Sequence, residues 1–267
     1  MPIIRKGHAE IERIAQAGAL SAATIAHVGE RITPGITTGE LDALAEDFIL
    51  SHGGIPTSKG YGGSSTQDPF PGAICISVNE VVVHGIPGPQ VVKQGDLVTI
   101  DVGVTLDGAI ADSAYTFSVG EVDEEATRLL DTCQEALGAG VMQAREGNRV
   151  GDISHAVQTV VEKAGFSVVR SLVGHGVGRH YHEEPHVPNF GQPGRGPKLQ
   201  EGMTVAIEPM ITAGRPDVTI LADGWTIPTV DGSLSAHFEH TVAVTADGPR
   251  VLTPRVGVAK EGASLLQ

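Results

Sequence analysis

The fold of this chain is decided by the stretch Gly95-Asp-Leu-Val-Thr-Ile-Asp-Val-Gly-Val-Thr-Leu-Asp-Gly-Ala-Ile-Ala-Asp112. Valine and isoleucine occupy alternate positions from 98 to 104, which predicts a strand that buries one face. The Asp107-Gly108 pair is typical of a two-residue hairpin loop and would pair Leu106 with Ala109. We therefore predict an antiparallel hairpin over this stretch.

Two acidic side chains share one face of this hairpin. Asp101 projects from the face opposite the apolar one, and the pairing places Gly103 across from Asp112. Asp101 and Asp112 are then diagonal neighbours, roughly 7–8 Å apart at the backbone, and Gly103 leaves room between them. Two carboxylates in this position can converge on one cation or on a pair of cations.

The segments on either side of the hairpin predict a duplicated chain. Apolar residues spaced by three and four predict two helices before the hairpin, over 11–29 and 41–49. The same spacing predicts two more helices after it, over 126–144 and 153–161. Glycines punctuate both pairs at equal intervals, at positions 35, 39 and 53 and again at 147, 151 and 165.

A strand-like run follows each helix pair, beginning with glycine and ending with an acid. Gly95 to Asp101 in the first half parallels Gly202 to Glu208 in the second. We predict one α+β domain over residues 1–267, in which two αα–ββ halves, approximately 10–120 and 121–250, are related by a pseudo-twofold axis. Residues 254–267 lack periodicity and are predicted to be a short polar tail. A cleft between two such halves is the natural place for a site.

Composition and charge exclude several classes of protein. The chain has 18 Lys and Arg against 32 Asp and Glu, a net charge of −14, which argues against a nucleic-acid site. No apolar run approaches the ~18–20 residues of a membrane span, and no secretory signal follows the N-terminus. The two cysteines, Cys75 and Cys133, do not make a disulfide framework. We therefore expect a cytoplasmic protein without a direct nucleic-acid or membrane partner.

Two more acids lie beside apolar strand sequence in the second half. Glu208 ends the run Thr204-Val-Ala-Ile-Glu-Pro-Met, and Glu239 lies in His237-Phe-Glu-His-Thr-Val-Ala-Val. Any one of these acids alone could be a surface or hydrogen-bonded structural residue. Four buried carboxylates at matching positions would repel one another, and burying each without a partner costs several kcal/mol. Two divalent cations would balance their charge.

Histidines are concentrated in one glycine-rich segment, Gly174-His-Gly-Val-Gly-Arg-His-Tyr-His-Glu-Glu-Pro-His186. Carboxylates combined with one or two imidazoles suit Mn, Fe, Co or Zn. His182 to His186 also satisfies the HExxH pattern of helical zinc proteases. Pro185 and Pro188 oppose a helix there, so we predict that this pattern does not form a zinc-binding helix.

Seven motifs taken together identify a family resemblance. They are Asn79-Glu-Val-Val-Val-His-Gly-Ile-Pro87, Ile100-Asp-Val-Gly, Asp112-Ser, Gly174-His-Gly-Val-Gly-Arg, Tyr181-His-Glu-Glu-Pro, Ile207-Glu-Pro-Met and Phe238-Glu-His-Thr. Over nearly its whole length the chain resembles the type I methionine aminopeptidases, which belong to subfamily A of peptidase family M24 and have the pita-bread fold. The resemblance implies a curved antiparallel sheet covered by helices.

The resemblance also implies a dinuclear metal site that holds two ions of Co, Mn, Fe or Zn. The metal ligands it implies are Asp101, Asp112, His175, Glu208 and Glu239. The acids at positions 112 and 239 would bridge the two ions. A third, monovalent cation is bound in some relatives at the positions that match Asn79, Val81 and Ser235.

The activity implied is removal of an N-terminal methionine when the second residue is small. A metal-bridged hydroxide would attack the scissile carbonyl, and Glu208 would be the general base. His182 would stabilise the oxyanion and His84 would contact the scissile amide. The implied pocket for the methionine side chain is lined by Tyr61, Phe70, Cys75, His84, Tyr181 and Trp225, and His182 would also contact the substrate. A Gly/Ser-rich insertion, residues 62–72, would rim this pocket and departs from the family pattern.

The partners implied are peptides and nascent chains with N-terminal methionine, with ribosome association left open, and we expect a monomer. The chain's own Met1-Pro2 start fits such a substrate. One alternative is an Xaa-Pro aminopeptidase of the same fold, which typically carries a large N-terminal domain. Another is a non-catalytic pita-bread binding protein, which should lack one or more of the five metal ligands.

Overall fold

A computed structural model describes residues 2–65 and 67–255 of the chain. These residues contain four helices, which are α1 (His8–Gly29), α2 (Thr38–Ser51), α3 (Glu124–Gln143) and α4 (Val150–Lys163). The four predicted helices are therefore confirmed, and their ends differ from the predicted bounds by a few residues. Met1 and residues 256–267, most of the predicted tail, lie outside the described residues.

Helix ends explain the small differences in bounds, because capping residues extend a helix beyond its apolar pattern. At the start of α2 the Thr37 hydroxyl accepts from the Glu40 amide, while the Glu40 carboxylate accepts from the Thr37 amide at 2.8 Å. The Asp123 carboxylate accepts from the Ala126 amide at 2.7 Å and starts α3. No helix in the described parts of the chain is both long and apolar enough to cross a membrane.

The described residues also contain fourteen strands in four antiparallel sheets. They are β1 (Ile55–Pro56), β2 (Cys75–Val78), β3 (Val81–Val83), β4 (Leu97–Leu106), β5 (Ala109–Ser118), β6 (Ser167–Val168), β7 (Val173–Gly176), β8 (Glu183–Pro188), β9 (Thr204–Ile207), β10 (Met210–Thr212), β11 (Ile227–Pro228), β12 (Ser235–His237), β13 (His240–Thr245) and β14 (Gly248–Val251). The predicted α+β class, with antiparallel sheets covered by helices, is confirmed.

The predicted hairpin is formed by β4 and β5, which are the longest strands. Leu106 pairs with Ala109 and Gly103 with Asp112, which is the register expected from the sequence. Asp107 and Gly108 have φ of 49° and 75°, the positive values that a type I′ turn requires. Strands β1 and β2 pair with β4, so this strand is the centre of the first sheet.

The second half builds its own sheet in the order β14-β13-β9-β7-β8, with a three-stranded sheet β12-β10-β6 beside it. A small sheet joins the halves, because β11 pairs with β3. The segment containing the HExxH pattern forms β8 and not a helix, as the prolines predicted.

Helices cover one side of the main sheet in each half. In the first half, fully buried Leu41 and Ile49 of α2 pack in one core with Ile100 of β4. In the second half, α3 and α4 pack on β9 and β13 in a larger core that includes Leu137 and Ile153. Burying each such side chain contributes about 1.5–3 kcal/mol, which fixes the apolar face of each strand toward the helices. The acids at alternate positions therefore point to the opposite side.

Candidate active site

A cavity of about 130 Å³ lies on the side of the sheets that the helices leave uncovered. Every residue that the sequence predicted for divalent-metal binding, catalysis or the methionine pocket lines this cavity, although the residues come from both halves of the chain. They are Tyr61, Phe70, Cys75, His84, Asp101, Asp112, His175, Tyr181, His182, Glu208, Trp225 and Glu239.

The hairpin supplies the first two acids. Asp101 of β4 pairs with Ala114, and Asp112 of β5 pairs with Gly103, so the two acids are diagonal neighbours on one face. The space over Gly103 is occupied by Tyr181, whose hydroxyl would be 2.3 Å from a Cβ added there. Gly103 therefore makes room for a tyrosine beside the acids, which the sequence analysis did not predict.

Hydrogen bonds between the halves bring the other acids to the hairpin. The Glu239 amide donates to the Ala114 carbonyl at 3.0 Å. The Thr241 hydroxyl donates to the Asp112 carbonyl at 2.8 Å, and the Asp112 amide is 3.0 Å from the same hydroxyl oxygen. These contacts join β5 to the segment around β13 and place Glu239 beside Asp112. Glu208 comes from the end of β9.

His175 is oriented toward the acids by its own backbone. Its Nδ1 is 2.9 Å from the Gly176 carbonyl, which can only accept, so Nδ1 carries the proton and Nε2 is free to bind a metal. Nε2 lies 3.8 Å from Asp112 Oδ2 and 3.5 Å from Glu208 Oε1. Glycines flank His175 because its neighbouring strands approach closely: a Cβ at Gly174 would lie 2.4 Å from the Ala206 carbonyl.

The four acids are held in an environment that opposes their ionisation. Burial raises the pKa of Asp101 to about 7, and it raises the pKa of Asp112, Glu208 and Glu239 well above their ordinary range. Neighbouring carboxylates raise the pKa of the last three further. Burial lowers the pKa of His175 to about 3, so its imidazole is neutral at neutral pH. A bound cation would reverse the penalty on the carboxylates.

Unsatisfied oxygens at the same place fit a cation. Asp101 Oδ1, Asp112 Oδ1 and Glu239 Oε1 are buried and have no hydrogen-bond partner among the described residues. One ligand atom each from Asp112, His175 and Glu239 lies within 4.8 Å of the others. Ligand atoms that each lie about 2.0–2.2 Å from one metal are about 3–4 Å apart, so small shifts of these side chains would complete a metal site.

Two more histidines lie nearer the mouth of the cavity. His182 is exposed, and its Nδ1 is 2.5 Å from the Tyr61 hydroxyl. His84 is less exposed and has a φ of 56°, a value uncommon for a residue with a side chain. Gly85 lets this strained backbone run against β2, because a Cβ there would be 2.2 Å from the Ile76 carbonyl. Burial lowers the pKa of His84 to about 4.

Aromatic residues form the outer wall of the cavity. Phe70 is buried and meets Trp225 edge-on, with ring centroids 5.4 Å apart, and Tyr61 meets Tyr181 in the same way at 5.1 Å. Gln67 and Asp68 lie against the loop that carries Trp225. The Trp225 indole donates to the Asp68 carbonyl at 2.9 Å, and the Gln67 side-chain amide donates to the Gly224 carbonyl at 2.7 Å.

Sequence reasoning missed several residues of the cavity wall, namely Ser58, Val83, Leu172, Val173, Met210 and His237. Of these six residues, His237 is the one that lies beside a predicted metal ligand. Its Nε2 lies 3.7 Å from Glu208 Oε2, and both ring nitrogens are buried without a hydrogen-bond partner among the described residues. Strand alternation gave no signal for His237, because β12 ends at this residue and Glu239 lies between β12 and β13.

Oxygen atoms also converge at the positions suggested for a monovalent cation. The Ser235 hydroxyl is 2.9 Å from the Asn79 carbonyl and 3.0 Å from the Val81 carbonyl. The Asn79 carbonyl belongs to the turn that joins β2 to β3, and the Val81 carbonyl belongs to the start of β3.

Comparison with known proteins identifies the family of this chain. Residues 12–246 match metallopeptidase family M24. The chain is 50% identical over 251 residues to the methionine aminopeptidase of Clostridium perfringens, an alignment that covers 94% of this chain and 98% of that protein. The chain belongs to metallopeptidase family M24. The expected family and the expected enzyme class, a metallo-aminopeptidase, are thereby confirmed.

Solved structures support the fold. The crystal structure of methionine aminopeptidase from Rickettsia prowazekii superposes with a TM-score of 0.91 at 41% identity, over 95% of this chain and 100% of that one. The prolidase of Pyrococcus furiosus superposes with a TM-score of 0.75 at 23% identity, over 94% of this chain and 65% of the prolidase chain. This likeness shows the shared fold alone. The pita-bread fold is confirmed. M24 membership implies that divalent metal is bound, and the acids and His175 form a candidate site for it.

Proposed function

We propose that this enzyme removes the initiator methionine from peptides and nascent chains whose second residue is small, with two divalent cations in the cavity. One observation carries the proposal: four carboxylates and His175 converge beside an aromatic-lined space, and three buried carboxylate oxygens there lack a partner among the described residues. The similarity to the methionine aminopeptidase of Clostridium perfringens supports methionine as the residue removed.

The metals would be held by the five predicted ligands, Asp101, Asp112, His175, Glu208 and Glu239. Asp112 and Glu239 lie where the two halves meet, and they would be the acids placed to serve both ions. Bound divalent cations supply Lewis acidity and a water whose pKa is lowered from 15.7 toward ~7. Mn, Fe, Co and Zn all suit a mixed carboxylate and imidazole set, and each is a candidate.

Glu208 is the proposed general base. Its carboxylate lies at the cavity wall with His175 on one side and His237 on the other, at 3.5 and 3.7 Å. This placement lets it take a proton from the attacking water and return it to the leaving amine. His237 faces Glu208, has no other partner among the described residues, and would hold its orientation.

The two outer histidines would act on the substrate. A hydrogen bond between Tyr61 and Nδ1 of His182 leaves Nε2 of His182 available to the scissile carbonyl, where it stabilises developing negative charge. His84 is neutral at neutral pH, because burial keeps its pKa near 4, and would contact the scissile amide. Its strained backbone is the kind that persists at functional sites.

The apolar and aromatic lining would select the first residue. Phe70, Cys75 and Met210 are buried at the wall, and a thioether packs favourably against aromatic edges and sulfur. Trp225 and Tyr61 would close the outer side.

Several further assignments belong to the same proposal. A monovalent cation would be bound by the carbonyls of Asn79 and Val81 and the hydroxyl of Ser235. The enzyme would act as a cytoplasmic monomer on chains emerging from the ribosome, and Cys75 and Cys133, both free and buried, fit a reducing compartment. Residues 1–267 would form one domain with an internal duplication. The chain's own Met1, outside the described residues, precedes Pro2 and would be removed, which a mass spectrum checks.

The test compares two peptides. Protein stripped by a chelator is assayed on Met-Ala-Ser and Ala-Pro-Ser, with and without added Mn or Co. The proposal expects release of methionine from the first peptide only, restored by metal. Cleavage of the second peptide alone would assign the chain to the Xaa-Pro peptidases. Stoichiometric metal binding without cleavage of either peptide would indicate a binding protein that kept the site and lost the chemistry.

A further inference from the structure

One ion pair of this molecule is buried far more deeply than the others. Lys6 Nζ lies 2.6 Å from Glu183 Oε2, and each side chain is 1% exposed. Every other Lys or Arg ion pair in residues 2–65 and 67–255 joins side chains that are at least 27% exposed. Lys6 precedes α1, and Glu183 begins β8, so the pair joins positions 177 residues apart.

Stability alone does not account for this pair. Removing two charges from water is expensive, and buried ion pairs can often be replaced by apolar residues without loss of stability. Burial lowers the pKa of Lys6 in spite of the opposing hydrogen bond and charge of Glu183. This pair therefore calls for a structural role other than stability, which is the positioning of the groups that it contacts.

Glu183 fixes the backbone of a turn that belongs to the active site. Its second oxygen, Oε1, accepts from the Arg179 amide at 2.7 Å and from the His180 amide at 2.9 Å. We call residues 178–183 the site turn. The turn carries Tyr181 and His182, and both line the cavity.

The side chain of Lys6 packs against the site turn, and the backbone of Lys6 is held by a hydrogen bond. A Cβ added at Gly178 would lie 3.0 Å from Lys6 Cε, so the lysine stem packs directly under the start of the turn. The Lys6 amide donates to the Gly202 carbonyl at 2.7 Å. The ammonium group therefore approaches Glu183 from a fixed point, and Glu183 passes that constraint to two amides of the turn.

We propose that Lys6 is a positioning residue of the active site, which acts through Glu183 to fix the turn that sets Tyr181 and His182 over the cavity. The role of His182 in this inference rests on the proposed function. The position of the turn itself does not.

The experiment uses the full chain and separates turn geometry from overall stability. Lys6→Met leaves a buried carboxylate without its partner. Lys6→Met/Glu183→Gln removes both charges but keeps an oxygen that can accept from the two amides. Lys6→Met/Glu183→Leu removes the oxygen as well. Arg250→Met is the matched control, because it breaks an exposed pair with Glu12 of α1 and does not contact the turn.

Two readouts are compared with the melting temperature across the set. The first is hydrogen exchange at the amides of Arg179 and His180 in the metal-free protein. The second is kcat and KM on Met-Ala-Ser. In Lys6→Met and in the leucine double variant we expect faster exchange and a fall in kcat of up to about 100-fold with KM little changed, as for a group misplaced by about 1 Å. The glutamine double variant should recover slow amide exchange and the original kcat. The Arg250→Met control should keep slow exchange and an unchanged kcat.

Two results would overturn the inference. One is unchanged exchange at these amides in Lys6→Met. The other is a kcat that follows the melting temperature across the variants, so that the glutamine double variant is no more active than a leucine double variant of equal melting temperature. Hydrogen exchange needs no substrate, so it decides the position of the turn even if no peptide is cleaved, and failure of the proposed function is thereby distinguished from failure of this inference.

Discussion

Gly103→Ala should displace Tyr181 in the active site, although Gly103 has no side chain that could bind metal or substrate. A Cβ at this position would lie 2.3 Å from the hydroxyl oxygen of Tyr181 and 2.5 Å from its Cζ. Ordinary contacts between carbon atoms need about 3.5–4.0 Å, so the tyrosine ring has to move by about 1 Å. The ring is 9% exposed, and its hydroxyl is 3.0 Å from Ser58 Oγ, so it cannot swing into solvent.

The expected cost has two parts. Overpacking of this kind destabilises a protein by about 1–3 kcal/mol. For a chain of this size that lowers the melting temperature by about 2–12 °C. Tyr181 precedes His182, whose ring centroid is 4.8 Å from its own. A shift of about 1 Å near a catalytic group can cost about 100-fold in rate, so kcat/KM on Met-Ala-Ser should fall by up to that factor.

Thermal unfolding and peptide kinetics measure both parts, with Gly138→Ala as the control. Gly138 lies in α3, where an added Cβ meets nothing within 4 Å. That substitution should leave kcat/KM unchanged and stabilise the helix by up to ~1 kcal/mol. If Gly103→Ala matched this control in both melting temperature and kcat/KM, the argument from close packing would be refuted.

Three further predictions concern charge, the oxyanion and the aromatic wall. Burial raises the pKa of Asp101 from 3.8 to about 7, so the folded metal-free protein retains this proton where the unfolded chain loses it. Burial lowers the pKa of His84 and His175, which gives the opposite slope below pH 6.5, so the melting temperature should fall as pH rises above 6.5. Divalent metal should remove that fall, and a flat profile above pH 6.5 without metal would contradict the raised pKa of Asp101. His182→Ala should lower kcat by about 10²–10³ with metal content unchanged, while the exposed His186→Ala should not; equal effects of the two would refute the oxyanion role. Trp225→Ala removes the edge contact with Phe70 and the hydrogen bond to Asp68. The KM for Met-Ala-Ser should therefore rise about tenfold with kcat little changed. An unaltered KM would exclude Trp225 from the methionine pocket.

Local chemistry made part of this structure predictable. The Asp107-Gly108 turn fixes the register of β4 and β5, and the register decides that Asp101 and Asp112 share a face. The helices were predicted from their apolar spacing, because each packs one face on a sheet. Pro185 was enough to exclude a helix at the HExxH pattern.

Other features depend on contacts between distant parts of the chain. No local pattern shows that Tyr181 fills the space over Gly103, or that Thr241 joins the two halves at Asp112. The Lys6–Glu183 pair spans 177 residues and has no periodicity to reveal it. His237 and Met210 line the cavity because β10 pairs with β12 there, which spacing within either strand could not indicate.

The most direct test of the account is the location of metal in the protein. Crystals soaked in Mn²⁺ should show two anomalous-scattering peaks roughly 3.5–4 Å apart, among the side chains of Asp101, Asp112, His175, Glu208 and Glu239. The account predicts that the two central acids, Asp112 and Glu239, contact both peaks. No peak in the cavity, or ordered Mn²⁺ bound only elsewhere, would contradict a dinuclear site built from these residues.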